Sequence, residues 1–322
     1  MKAIIMNEFG SADVLQYVEC PIPVISSGEV LIRTIYTSVN FADIKNRTGN
    51  KGKANFPMIL GLDVAGVVEE AFDESSMFKK GDLVIAFPKN GAYAEYVVAK
   101  EQLVFRIPND VPVEKAAAAP TVLFLSYLLT HQIAPIQKND DVLIHAASGG
   151  VGTMLIQMAK NLGARKIIGT VSKMEKASIV YELGAHHVVT YENFSAQVND
   201  YTDGHGVNII FDSIAGNITE ESLNCLAPYG TLVQFGNSGG EAGQIMTSDL
   251  HSSCRNIKGF SLGTTRNLKP ELLQQVAQNI FTILKNESFQ VPVAKVFTLE
   301  DMQKAHKLVE SRQHQGKILI QI

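Results

Sequence analysis

Apolar and polar positions change their rhythm along this chain. In the first third, apolar residues come in short, mostly alternating runs: Lys2–Met6, Glu29–Tyr36, Asp63–Glu69, Asp82–Ala86 and Gly91–Val98. Such runs predict strands, many of them half-buried, and the glycine and proline punctuation between them predicts a barrel-like or partly open β domain. After Pro120 the rhythm becomes strand, helix, strand. Val142–Ala146 is an apolar run. Met154, Leu155, Met158, Ala159 and Leu162 then recur at helical spacing, closed by Gly163, and Lys166–Val171 is apolar again. That alternation predicts a parallel sheet covered by helices on both faces. Glu271–Leu284 reads as a long amphipathic helix, and Lys317–Ile320 as a last apolar strand able to rejoin the first domain.

Composition removes several classes. With a net charge of −4, the chain has no basic excess to attract nucleic acid or an anionic membrane. No run approaches the ~20 apolar residues of a membrane span, because Pro120, Thr121 and Ser126 break the longest block. No basic start leads into an apolar stretch, so a cytoplasmic protein is expected. Cys20, Cys225 and Cys254 have neither metal-ligand spacing nor a disulfide framework.

The turn between the first two apolar runs of the alternating part, Ser148-Gly149-Gly150-Val151-Gly152, carries the most chemistry. Strand, glycine turn, helix, strand is the unit that binds a dinucleotide pyrophosphate: glycines let the backbone approach, and the helix N-terminus offers free N–H groups. Ala147 stands where the common fingerprint has its first glycine. Some 140 residues precede the turn, enough for a separate domain of ~100–200 residues.

A series of motifs in order widens the picture: Ser38-Val39-Asn40-Phe41-Ala42-Asp43 with Arg47-Thr48-Gly49, Gly61-Leu62-Asp63-Val64-Ala65-Gly66, Gly81-Asp82-Leu83-Val84, Gly91-Ala92-Tyr93-Ala94-Glu95-Tyr96, the glycine turn, Phe211-Asp212-Ser213, Phe235-Gly236-Asn237-Ser238-Gly239, and Glu310-Ser311-Arg312 with Gln315-Gly316-Lys317. Over nearly its whole length the chain resembles the medium-chain dehydrogenases/reductases, in their zinc-free quinone oxidoreductase branch related to zeta-crystallin. The resemblance implies an α/β protein: a GroES-like β-barrel-type catalytic domain, expected over residues 1–120 and 267–322, plus a Rossmann doubly wound parallel-sheet domain over 121–266. It also implies an active site in the cleft between them.

Zinc-dependent members carry a Cys at or near Asn40, a His-Glu pair where this chain has Leu62-Asp63, and a four-cysteine lobe. No cysteine lies between Cys20 and Cys225. Leucine offers no lone pair and an Asn amide is a poor zinc ligand, so no metal is expected. His186 and His187, adjacent on a strand, point to opposite faces and read as structural. Removing a hydroxyl proton from an alcohol normally takes zinc, whereas quinones and activated alkenes accept hydride without a Lewis acid. The expected activity is therefore NADPH-dependent reduction of a quinone or α,β-unsaturated carbonyl. Two alternatives remain: a non-catalytic NADPH-binding protein, or a zinc-type alcohol dehydrogenase if metal is found. Tyr96-Val97-Val98-Ala99-Lys100 has the letters of the short-chain dehydrogenase pair. It lies in a strand-like run, which holds residues four apart far from one another.

Asn40 is the expected catalytic residue, donating beside the nicotinamide and substrate oxygen; the other reading is a cap for a helix starting at Phe41. Asp43 and Arg47, four apart on that helix, read as an ion pair. Zeta-crystallin members carry tyrosines shortly afterwards, where Lys45 and Asn50-Lys51 stand here. For the cofactor, the strand ending at Val171 is followed by Ser172 and Lys173, not by the acid that binds an NAD ribose, and Glu175 comes only later. The resemblance implies that Lys176, Tyr191 and Arg312 hold a 2′-phosphate, hence NADPH, and that Gly236, Asn237 and Ser238 pass the nicotinamide. The expected cofactor-binding set is these residues with Ser172 and the glycine turn, Ser148, Gly149, Gly150, Val151 and Gly152. Family members pair through an edge strand, for which Lys258–Gly263 is the candidate, so a homodimer is expected.

Overall fold

Eleven residues, Glu29–Val39, form the longest strand in the computed structural model, which describes residues 1–50 and 55–322. The chain divides into two units, residues 1–124 with 264–322, and residues 125–263. In the first unit that strand is the hub of a seven-stranded sheet. Val293–Thr298, Lys317–Gln321, Glu29–Val39, Val64–Ala71, Leu83–Ala86 and Val104–Arg106 follow one another across it, and Tyr96–Lys100 also pairs with the hub. The last strand does rejoin the first part of the chain: Leu319 pairs with Ser38 and Ile320 with Thr37, antiparallel. Lys2–Met6 forms a smaller sheet with Gln16–Glu19 and Met58–Ile59. Between these layers Ile32, Val64, Val84, Val97, Met302 and Ile318 make one apolar core.

One sequence expectation shifts here. The run Gly91–Val98 becomes a strand only from Tyr96 to Lys100, and before it only Ala94 bridges to Ala3. The backbone at Gly91 has positive φ and runs against the Ile59 carbonyl, so no ladder continues through it. Tyr96 and Lys100 do lie on one strand, as their alternation suggested.

The second unit holds a six-stranded parallel sheet. Its order is His187–Thr190, Lys166–Val171, Asp141–Ile144, Val207–Asp212, Leu226–Gln234, Asn256–Gly259. In chain order this is 3-2-1-4-5-6, the doubly wound arrangement. Leu143, Ile168, Ile210 and Leu232 come from neighbouring strands and pack with Phe194 and Val198 of one covering helix. The edge strand expected over Lys258–Gly263 is placed differently. It spans Asn256–Gly259, and Leu262 already begins the helix Leu262–Leu268. Apart from half-buried Ile257, its residues are polar or glycine, so the edge is less apolar than the letters Phe260 and Leu262 suggested.

Candidate active site

In a doubly wound sheet, ligands bind at the carboxyl ends of the strands where the order reverses. Here that point lies between Asp141–Ile144 and Val207–Asp212. The glycine turn leaves the first of them, and the helix Gly150–Asn161 starts inside it. Gly152 is fixed by space: a Cβ there would lie 2.4 Å from the Ala146 carbonyl oxygen. Gly149 donates to that same oxygen at 2.9 Å, folding the turn tightly. Ser148 is buried within it.

The turn is braced from the next strands. Ala146 N–H donates to the Tyr191 hydroxyl at 2.9 Å, and Ala147 N–H to the Thr170 carbonyl. Val171 and Thr190 are register partners, so the residues after them, Ser172 and Tyr191, sit at neighbouring strand ends. Lys176 Nζ donates to Ser172 Oγ at 3.1 Å. The structure thus gathers the turn, Ser172, Lys176 and Tyr191 in one unit. Arg312 belongs to the other, where it follows the helix Met302–Ser311 with φ of 56° and lies over the Phe41 ring at 5.2 Å.

Beneath the turn, His145 is buried between Thr170 Oγ1 at 3.0 Å and Ser222 Oγ at 2.9 Å. Ser222 spends its hydrogen on the Ile218 carbonyl, so it must accept from His145 Nε2–H, and Nδ1 accepts from Thr170. Burial holds the imidazole neutral, its pKa pushed down to about 4. His186 and His187 hold the strand ends: Ile167 N–H donates to His186 Nδ1, and His187 stacks on Tyr201.

On the other side of the reversal, Asp212 Oδ1 accepts from the N–H groups of Ile214 and Ala215. Ser238 N–H donates to the Ser213 carbonyl, and Gly236 packs against Ser213. Asn237 Oδ1 accepts from Gly240 N–H at 2.7 Å, closing its own turn. The carboxyl ends of both central strands are therefore preformed loops.

The first unit contains the Asn40 site, and it differs from the expected one. Asn40 is 7% exposed. Lys317 Nζ donates to its Oδ1 at 2.6 Å. An ammonium has no acceptor, so this contact fixes which end of the amide is oxygen. Nδ2 then faces Ser38 Oγ at 3.2 Å and Asp63 Oδ2 at 3.5 Å. Asp63 is tied in further by Ser38 Oγ at 2.6 Å and Thr121 N–H at 3.1 Å. The helix Phe41–Arg47 is capped in reverse, with Asn40 N–H donating to Asp43 Oδ2 at 2.8 Å.

Asp43 and Arg47 take other partners than each other. Arg47 is wholly buried; its Nη2 donates to both Glu310 carboxylate oxygens and its Nε to the Gly10 carbonyl. Its Nη1 lies 3.4 Å from His306 Nδ1, and His306 Nε2 lies 3.1 Å from the Tyr93 hydroxyl, itself 3.1 Å from Asp43 Oδ2. Because a guanidinium can only donate, the polarity runs one way: Arg47 to His306 to Tyr93 to Asp43. Burial pushes Asp43 up to about 6, with the nearby Asp63 charge adding to it. Burial pushes His306 down to about 3, helped by the Arg47 charge, and also lowers Lys317. Sequence reasoning missed Lys317, Tyr93, His306 and Asp63 as partners of the Asn40 motif. Hints were thin: a lysine heading an apolar strand, and an acid beside Leu62. Lys51, one of the residues in place of the family's tyrosines, lies outside the described residues. Among the described residues no group of three His, Cys, Asp or Glu side chains is placed to hold a metal ion, and no helix is long and apolar enough to cross a membrane.

A GroES-like β unit beside a doubly wound unit with a glycine turn is the pattern of a medium-chain dehydrogenase/reductase. Residues 26–109 match the alcohol dehydrogenase GroES-like domain, and residues 150–278 match the family described as zinc-binding dehydrogenase. The chain is 31% identical to a quinone oxidoreductase of Pseudomonas aeruginosa, over 99% of each. It is also 31% identical to a 2-haloacrylate reductase of a Burkholderia species, over 99% of this chain and 98% of that one. The solved Escherichia coli quinone oxidoreductase complexed with NADPH superposes with a TM-score of 0.94 at 29% identity, covering 100% of both chains. The chain belongs to the quinone oxidoreductase family of medium-chain dehydrogenases/reductases.

Proposed function

We propose that this protein is an NADPH-dependent reductase of quinones or α,β-unsaturated carbonyls, working without zinc. The observation that carries the cofactor half is the donor set at the sheet's carboxyl edge. Ser172 and Lys176 stand bonded together directly after Lys166–Val171, the position where an NAD-binding fold keeps an acid. The residues present fit a 2′-phosphate: a hydroxyl and an ammonium donate to it, and no carboxylate repels it until Glu175. Gly152 lets the start of the helix Gly150–Asn161 pack against the Ala146 carbonyl, and the N–H groups of that helix N-terminus would face a pyrophosphate. Arg312 is assigned to the same phosphate, and the loop Gly236-Asn237-Ser238 to the nicotinamide.

NADPH held there would supply a hydride, and the acceptor, taking up that hydride and a proton, would leave as hydroquinone or saturated carbonyl. The acceptor half rests on Asn40. Its 3.5 Å contact to Asp63 is the weakest of its bonds, and the Nδ2 hydrogen spent there is the one an acceptor oxygen would take over. Lys317 holds the amide in the orientation that presents this hydrogen. Two relatives are named quinone oxidoreductase and 2-haloacrylate reductase, after acceptors of this electron-poor kind, which supports the reading. A homodimer through the edge strand Asn256–Gly259 completes the reading, and light scattering at micromolar concentration tests it. The decisive experiment for function is NADPH oxidation with a panel of quinones and enones. Turnover of at least one supports the reading; cofactor binding with no turnover of any would make the protein a non-catalytic NADPH binder.

A further inference from the structure

The first unit contains a cavity of about 750 Å³. Its apolar wall includes Met58, Ile59, Leu62 and Phe87. Its charged wall consists of Lys89, Lys100 and Arg266, with no Asp or Glu among the described lining residues. Lys89 is offset by Glu29 at 2.8 Å, outside the wall. Arg266 is not offset in that way. Its guanidinium lies over the Phe87 ring at 5.0 Å, and Nη1 donates to the Leu62 carbonyl at 3.0 Å. A guanidinium carries five N–H donors, and that is the hydrogen bond Arg266 makes among the described residues. The Asp63 and Asp43 charges attract it without touching it.

We propose that this cavity receives the electron acceptor and that Arg266 binds a carboxylate carried by it. The proposal rests on the reductase reading above and narrows its substrate class to acidic quinones or enones. Three features carry it. The cavity volume lies within the ~300–1,000 Å³ of ordinary small-molecule sites. The wall is single-signed, so its field favours an anion. The planar fork of Arg266, clamped in place by Phe87 and Leu62, matches a carboxylate in two-point contact. The cavity also adjoins the Asn40 site through the chain itself. Leu62, whose carbonyl Arg266 holds, precedes Asp63, which contacts the Asn40 amide. A carboxylate at Arg266 would thus anchor one end of a molecule whose carbonyl reaches toward Asn40.

The test compares two acceptors that differ only in charge: a benzoquinone bearing a saturated carboxyalkyl arm, and its methyl ester. The saturated arm insulates the ring, so both quinones take electrons equally readily. With the unaltered protein at low salt, the acid should be reduced with kcat/KM about tenfold or more above the ester, and the preference should shrink as salt rises. In Arg266→Met the preference should fall to near one, through KM and not kcat, and Arg266→Lys should restore part of it. Equal turnover of acid and ester by the unaltered protein would overturn the proposal and leave the reductase standing. No NADPH oxidation with either, or with the parent benzoquinone, would overturn the reductase reading and this proposal with it. The acid–ester comparison decides even if the Arg266 variants fail to fold.

Discussion

The two units place their cations differently. In the second, no described Lys or Arg is buried: Lys176 is half-buried beside exposed Ser172 at the end of the sheet, while the buried His145 beneath the turn is kept neutral. In the first, the ions themselves are inside. Arg47, Asp43, Asp63 and Lys317 are all at most 5% exposed. Their hydrogen bonds run to His306, Tyr93, Asn40, Ser38 and Glu310, and one Asp43 oxygen, Oδ1, is left without a partner among the described residues. Exposed donors keep their charge available for a ligand. Buried ions spend theirs on holding geometry, and losing one strands its partners.

That contrast sets the size of the effects. Lys317→Met should cost the most, about 3–5 kcal/mol of stability, since it strips the buried Asn40 oxygen of its donor and removes one of the cations whose charge favours Asp63. Urea unfolding reads it directly, and a loss below ~1 kcal/mol would show that the buried ammonium contributes little.

A smaller effect with a sharper signature belongs to the second unit. Lys176→Ala should weaken NADPH about tenfold or more and leave NADH nearly unchanged, because a charge-assisted bond to phosphate contributes about 1.5–3 kcal/mol. Arg312→Ala should do the same from the other unit. Titration of both variants with both cofactors is the check; equal weakening toward the two would assign these residues to folding and not to the phosphate.

The smallest expected effect is in pH dependence, where two neighbours of Tyr93 oppose each other. His306 has a folded pKa of about 3, below its ordinary 6.5. Its contribution to stability is present above pH ~6.5 and is lost as pH falls toward 3. Asp43 has a folded pKa of about 6, above its ordinary 3.8. Its contribution has the reverse sign, absent above pH 6 and growing as pH falls toward 3.8. Asp43→Asn should therefore steepen the loss of stability between pH 6 and 4, and His306→Gln should flatten it. Denaturation midpoints across that range test both; parallel curves for the two variants would reject the opposition.

The same contrast explains what the letters revealed. The glycine turn, Ser172, Lys176 and the strand–helix alternation depend on residues within about thirty positions, and local period and spacing expose them. Asn40 was visible as a motif residue, but not its partners. Lys317 is 277 positions away, and Glu310 is 263 from Arg47. Nothing local marks a lysine at the head of an apolar strand as a buried partner for an amide. The Asp43–Arg47 spacing suggested a pair because four-apart side chains share a helix face, yet tertiary partners outcompeted it. The edge strand expected over Lys258–Gly263 lies earlier, at Asn256–Gly259: Phe260 and Leu262 read as strand letters, whereas the helix claims Leu262.

The strand Lys317–Gln321, laid against Glu29–Val39, has a consequence for biosynthesis. A ribosome makes residues 125–263 in one stretch, so the second unit can complete its sheet as it emerges. The first unit waits for the strand Lys317–Gln321, made after the whole of the second unit. Until Lys317 leaves the exit tunnel, one side of the Glu29–Val39 strand lacks its neighbour and Asn40 its cation, and that open edge is a place for mispairing. The order of synthesis thus puts the nucleotide-type fold first and the Asn40 site last.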